Sequence, residues 1–216
     1  GDLIRDGFLL RPRGIRVKVE GLDFTSVRKT RSETGVDDRA VGRAMSEQLA
    51  PAAIVRAYSE HAKGRKGVAF LPTVELSREL ADTFNEHGIR AIHVDAGTPK
   101  RVRREIVRRI KIGEYDMACN VGLFTEGTDV PIWDLVILAR PTSSETLFQQ
   151  MACRCGRPYP GQMDYMVMDV VGVTGRHRFR ELKDLDGVLL PEDIPDDLKE
   201  LLDEDESEPR ERAPSV

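Results

Sequence analysis

The 216-residue sequence contains no GxxxxGK followed by Ser or Thr, no GxGxxG, no HExxH and no GxSxG. These absences exclude a self-contained Walker phosphate loop, a dinucleotide fingerprint opening a helix, a two-histidine zinc site and a nucleophile elbow. There is also no run of 18 apolar residues, so no membrane span is expected. Residues 1–10 lack the basic start and long apolar stretch of a secretory signal, which leads to a cytoplasmic expectation. Cysteine is scarce: Cys119, Cys153 and Cys155 cannot all pair within the chain. No second Cys or His pair accompanies Cys153 and Cys155, so no metal site is expected.

What is present is charge. Charged residues make up 32% and apolar residues 40%, the balance of a globular domain with an ordinary core. The net charge of −4 conceals an asymmetry: from Glu181 onward there are 14 acidic and 4 basic residues, which leaves residues 1–180 with net +6. A basic body suits a polyanionic partner, although a modest excess also occurs on proteins that bind none. The tail is acidic and poor in aromatics, and is expected to stay mobile. Its run Asp203 to Glu206 follows no apolar strand and reads as a solvated tail.

Organisation follows from periodicity. Near the start, Ile15, Val17 and Val19 alternate with Arg16 and Lys18 as in a short strand. A helix-compatible stretch runs from about Ala44 to Lys63, interrupted near Pro51. From Gly67 onward short apolar runs alternate with amphipathic helices. The runs are Val68 to Leu71, Ala91 to Val94, Met117 to Val121, Leu135 to Leu138 and Tyr165 to Met168. Helices are expected over Val74 to His87 and Lys100 to Ile112. Runs buried on both faces and separated by helices indicate an α/β domain, doubly wound around a mainly parallel sheet, over roughly Arg65 to Val173. Ligands of such sheets sit beyond the carboxyl ends of the strands, which singles out Pro72-Thr73, Asp95 to Pro99, Gly122 to Pro131, Arg140 to Ser144 and Asp169.

Three segments carry chemistry. VGLFTEGTDVP, Val121 to Pro131, offers Thr125, Glu126, Gly127 and Asp129 after a buried strand. Glycine permits close backbone approach, and a carboxylate there can accept from ribose hydroxyls, although an ordinary turn would look the same. QQMACRCGRP, Gln149 to Pro158, places Arg154 and Arg157 three apart, so on a helical turn both guanidinium groups would project from one side. Two such forks can grip a terminal phosphate; a solvated helix face is the plainer alternative. VAFLPT, Val68 to Thr73, is a strand that ends in a Pro-Thr loop.

In this order and spacing the three segments resemble motifs IV, V and VI of superfamily 2 helicases, particularly the branch of restriction-enzyme motor subunits and DNA-repair translocases. The stretches HVDAGTPKRVRREIVRRIKIGEYDMACNV and VILARPTSSETLFQQM are similar to the family's intervening text, and LIRDGFLLRP to its exit from a first motor domain. The resemblance implies a RecA-like helicase C-terminal domain over residues 65–175. Residues 1–64 would lead in from an N-terminal RecA-like domain of the same parent chain, and residues 176–216 would be the tail. It implies ATP as cofactor, with Mg2+ held mainly by that N-terminal domain, and DNA as partner with RNA still open, in a bacterial or phage-infected cell.

Carried over by position, Arg154 and Arg157 would be arginine fingers, and Gln150 would help to orient their turn. Gly127 and Asp129 would line the sugar side of the nucleotide, and Glu126 would link nucleotide state to the strand track. Thr73, Gly97, Thr98, Asn120 and Thr125 would meet the nucleic-acid backbone. One departure is Cys153, where the family has glycine. Without a Walker loop or acidic box, the chain alone is expected to hydrolyse no ATP. A non-catalytic adaptor built on a motor half, or an unrelated enzyme binding a phosphorylated metabolite through Arg154 and Arg157, would share several of these features. The helix Lys100 to Ile112, with seven basic residues and one Glu, fits either a nucleic-acid contact or a solvated amphipathic face.

Overall fold

The computed structural model describes residues 10–17, 19, 22, 27, 37–48, 50–124, 129–141, 145–152 and 154–170. Six strands form one all-parallel sheet: β1 (Arg11–Arg16), β2 (Gly67–Phe70), β3 (Ala91–Val94), β4 (Met117–Asn120), β5 (Leu135–Leu138) and β6 (Asp164–Asp169), in the order β1-β6-β5-β2-β4-β3. Strands β2, β4 and β5 are buried at every residue, which is why they read as unbroken apolar runs. The expected doubly wound parallel architecture is therefore present.

The first strand differs from the expected alternation. It occupies Arg11–Arg16 rather than Ile15 to Val19, because its register is set by pairing with β6 from Arg11↔Asp164 to Arg16↔Asp169. The sheet thus draws on residues well before Arg65.

Among the described residues, five helices cover the sheet: α1 (Asp38–Glu47), α2 (Ala50–His61), α3 (Val74–Glu86), α4 (Lys100–Lys111) and α5 (Glu145–Ala152). Right-handed crossovers between parallel strands put α1, α2 and α3 on one face, and α4, α5 and the described segments 121–124 and 129–134 on the other. Asp37 caps α1 by accepting from Arg39 N and Ala40 N, so the helix begins six residues before Ala44. Pro51 lies in the first turn of α2, where its missing N–H leaves no gap in the ladder.

Edge-to-face aromatic pairs brace both faces. Tyr58 of α2 meets Phe84 of α3 at 5.5 Å, and the Tyr58 hydroxyl donates to Arg65 O. On the other face Phe124 meets Trp133 at 5.3 Å, both fully buried, which fixes the two ends of the connection that carries Asp129.

The amino ends of the strands are tied together by closed charge networks. Arg65 pairs with Asp134 and Asp164, and Asp134 also accepts from Lys66 N at 3.0 Å. Asp116 accepts from Lys66 Nζ at 2.6 Å and from Arg90 Nε and Nη2 at 2.9 and 2.7 Å. Burial alone would raise the Asp116 pKa, but the bonds from Arg90 and Lys66 outweigh it and bring it down to about 2. For Asp134 burial wins over Arg65, and its pKa is raised. Among the described residues, no helix is long and apolar enough to cross a membrane.

Candidate functional site

The candidate residues fall into two groups. The first lies at the carboxyl ends of β2, β3 and β4. Thr73 caps α3 by accepting from Leu76 N at 3.2 Å, and its methyl group rests on α1, where a Cβ on Gly42 would come within 2.6 Å of it. A groove of about 340 Å³ opens beside it, lined by Arg39, Arg43, Ser46 and Glu79 among others.

The loop after β3 is closed on itself. Thr98 donates N–H and hydroxyl to Asp95 Oδ1 at 2.9 and 3.1 Å, while Asp95 N donates back to the Thr98 hydroxyl at 3.1 Å. Gly97 lies on top of this turn, where a Cβ would sit 3.3 Å from Asp95 Oδ1. Behind it, Ser77 Oγ lies 2.8 Å from His93 Nδ1, and His93 Nε2 lies 3.3 Å from Asp95 Oδ2 without hydrogen-bond alignment. Burial lowers the His93 pKa against the pull of Asp95, so the ring is neutral near pH 7. Burial opposes ionisation of Asp95 too, but the adjacent His93 imidazole and the hydrogen bonds from Thr98 prevail and lower its pKa.

Asn120 is completely buried. Its amide donates to Ala69 O at 2.9 Å, and its oxygen accepts from Leu123 N at 3.1 Å. The side chain therefore shapes the turn after β4 and holds it to β2. Gly122 in that turn has φ +66. Arg140, at the carboxyl end of β5, donates to Asp38 Oδ2 at 3.1 Å and is almost buried. Sequence reasoning named the loop that starts at Arg140 but not this pair, which ties α1 to the sheet. The signal was available in Asp37-Asp38, an acidic pair just before an apolar-periodic stretch.

The second group lies on the α4/α5 face, toward the amino ends of β5 and β6. Helix α5 stops at Ala152, and Arg154 lies in the turn beyond it, with Nε donating to Gln150 O at 2.9 Å. Gly156 adopts φ +132, and a Cβ there would stand 2.8 Å from the Tyr165 ring. Arg154 and Arg157 are consequently not on one helical turn, which corrects the expectation drawn from their spacing. Cys155 is buried, and its thiol donates to Leu135 O at 3.1 Å, which accounts for a small side chain at that position. The Cys119 thiol is likewise buried, and burial pushes its pKa far above the usual range.

Arg157 stands out from this turn with 61% of its side chain exposed, and its Nη1 forms an ion pair with Asp129 Oδ1 at 2.8 Å. The structure thus brings together one residue from each of two distant segments, Val121 to Pro131 and Gln149 to Pro158. Gln150 is half-buried and holds Arg154 through its carbonyl. Thr125, Glu126, Gly127 and Cys153 lie outside the described residues. Chemically, the surface offers an exposed guanidinium with a single carboxylate partner among the described residues, a second guanidinium beside it in sequence, and a carboxylate that is itself half-exposed. Such a set can exchange its internal ion pair for the oxygens of a phosphorylated ligand.

An all-parallel RecA-like sheet with these loops defines the class of the C-terminal motor lobe of superfamily 2 helicases. Residues 49–159 match the helicase conserved C-terminal domain, and the chain belongs to that family. A 51.5 kDa protein of a Lactococcus phage is 40% identical over 118 residues, covering 55% of this chain and 26% of that protein. A Saccharomyces cerevisiae protein provisionally named ATP-dependent helicase IRC3 is 28% identical over 177 residues, covering 80% of this chain and 25% of its own. The chain therefore spans about a quarter of the length of these curated relatives. Among solved structures, a fragment of a provisionally assigned HsdR subunit of a type I restriction enzyme from Vibrio vulnificus shares the fold. Its TM-score is 0.59 at 19% identity, over 86% of this chain and 36% of that one.

Proposed function

We propose that the chain is the second motor domain of an ATP-dependent helicase or translocase acting on DNA, and that its arginines complete a nucleotide site held mainly by an N-terminal RecA-like domain. The observation that carries this reading is the exposed Arg157, held by Asp129 alone among the described residues. An exposed ion pair of this kind stabilises the fold little, so the guanidinium can be released to a ligand without loss of structure.

When ATP and Mg2+ are bound, the reaction they supply is in-line attack of water on the γ-phosphate. Arg157 would leave Asp129 for the phosphate oxygens and neutralise the charge that develops on them. Asp129, so freed, would accept from a ribose hydroxyl. Arg154 would approach from the turn fixed by Gln150, and Gly127 and Glu126 would complete the sugar side. Mg2+ would be held mainly by the N-terminal domain. At the carboxyl ends of the strands, Thr73, Gly97, Thr98 and Thr125 would meet the backbone of the nucleic acid. Asn120 would act indirectly, by shaping the turn that carries Thr125. Contacts confined to phosphates would make binding tolerant of sequence and weaker in salt. The resemblance to restriction subunits and repair translocases favours DNA, and the phage relative supports the cytoplasm of a bacterial or phage-infected cell as the setting.

The test is Arg157→Ala in the full-length protein. DNA-stimulated phosphate release should fall by roughly 10³-fold or more while ATP binding is retained. An unchanged rate removes Arg157 from this role.

A further inference from the structure

Helix α4 is built unlike its neighbours. At 100° per residue, Lys100, Arg101, Arg104, Arg108 and Lys111 fall within one sector of about 100°, opposite Ile106 and Ile110. All five are exposed, whereas Ile106 and Ile110 are the only buried residues of the helix. Arg108 pairs with Glu105 at 2.8 Å, and Lys100, Arg101, Arg104 and Lys111 have no carboxylate partner among the described residues. Arg109, off this stripe, is taken up by Glu114 and the Tyr115 ring.

Folding does not account for this stripe. Helices α1 and α3 start with a capping side chain, Asp37 or Thr73, and an acid in the first turn, Asp38 or Glu75. Helix α4 starts at Pro99 with no side-chain cap and no acid, and its first turn places Lys100 and Arg101 at the positive pole of the helix dipole. Lys100 with Arg104 and Arg104 with Arg108 are like charges four apart, which repel. Only the cations of the last turn suit the dipole. The outer face is therefore written against the helix's own stability, and a polyanion would offset that cost.

Nucleic acid fits this surface better than the other polyanions. The buried apolar side of α4, Ile106 and Ile110, is spent on the sheet. Its exposed apolar residues, Val102 and the C-cap Ile112, fall outside the basic stripe and give too little apolar surface to insert into a lipid layer. The stripe is about 16 Å long, and duplex DNA presents one charge per roughly 1.7 Å of axis, a denser and more regular array than an acidic peptide offers. Three of the five cations are arginines, whose forks match phosphate oxygens. The helix leaves directly from the Asp95-to-Thr98 loop and runs down the side of the sheet away from it.

We infer that the outer face of α4 is a sequence-independent docking surface for the backbone of a DNA duplex, separate from the loops that hold the translocated strand. The inference rests on the proposed motor reading for the identity of the polyanion. The duplex flanking the tracked strand lies along α4, adding phosphate contacts that no strand-end loop supplies.

The experiment measures fluorescence anisotropy of the purified chain with a labelled duplex of about 20 base pairs, and separately with a labelled single strand, across a salt series around 0.1 M. The variant is Arg104→Gln/Arg108→Gln/Lys111→Gln, which preserves helix propensity and is checked by circular dichroism. The result expected is a loss of duplex affinity of about tenfold or more. The log–log salt slope should fall by about 2 to 3, and single-strand affinity should stay within about twofold. Duplex affinity within twofold of the unmodified chain, no duplex binding by the unmodified chain, or equal loss on both probes overturns the inference. So does competition by polyglutamate at equal charge. A Thr73→Ala/Thr98→Ala variant separates the two readings: it should weaken the single strand and spare the duplex. If it spares both while the α4 variant still loses the duplex, the strand-track assignment fails and the α4 surface stands.

Discussion

Arg65 and Arg157 both lie near the amino end of β5, and the fold treats them in opposite ways. Arg65 is 20% exposed and is held by two carboxylates and two backbone carbonyls. Arg157 is 61% exposed and is held, among the described residues, by one carboxylate that is itself half in solvent. The first guanidinium is committed to joining three strand ends, and removing it would strand two poorly solvated acids. The second contributes little to the fold and is left where a ligand can take it. The same side chain is structural or available according to how many of its donors the fold consumes.

That contrast can be broken by substitution. Arg65→Ala should cost the chain about 3 kcal/mol, because Asp134 and Asp164 lose their counter-charge in a half-buried setting; urea denaturation measures it, and an unchanged midpoint would show that the network is ornamental. Gly156→Ala should cost about 2 kcal/mol from the positive φ and the Tyr165 contact, and should displace the turn between the two arginines. Its thermal midpoint would fall by several degrees, and a wild-type midpoint would show that the turn yields freely.

Acid sharpens the comparison. The Asp116 pKa is about 2 in the fold, below its ordinary value, so its contribution is present above pH 4 and is lost as pH falls toward 2. After allowance for solvent screening this amounts to about 1–2 kcal/mol. Asp134, with a raised pKa, acts in the opposite direction and gains from protonation. Asp116→Asn should flatten the acid limb of a stability–pH curve, and a limb of unchanged steepness would assign it to other groups. The smallest effect is expected for Arg157→Ala in the same chain: less than about 0.5 kcal/mol, as for other exposed pairs. A loss comparable to that of Arg65→Ala would make Arg157 a structural residue.

Periodicity located β5 to the residue and β2, β4 and β6 to within one, because strands buried on both faces leave continuous apolar runs; it also located β3, the edge strand, whose two middle residues are only half-buried. It misplaced β1, whose register is imposed by β6 rather than by its own alternation. The helix-compatible stretch from about Ala44 begins later than α1, because the helix starts at the Asp37 cap, upstream of the apolar periodicity. Residue types and spacing single out Asp129 and Arg157 as separate candidates. Their ion pair spans 28 residues of chain and no local pattern announces it. The helical turn expected for Arg154 and Arg157 failed because Gly156 reverses the backbone between them, and the reason for Cys155 lies in a carbonyl twenty residues away. Long-range partners, rather than local propensity, were what the sequence concealed.

The claim on which the rest depends is that these arginines serve a nucleotide held chiefly by another lobe. Phosphate release measured with DNA present, for the 216-residue chain and for the full-length protein in parallel, tests it most directly. The account predicts no turnover by the chain alone and DNA-dependent turnover by the full-length protein. Sustained hydrolysis by the 216 residues on their own would contradict it.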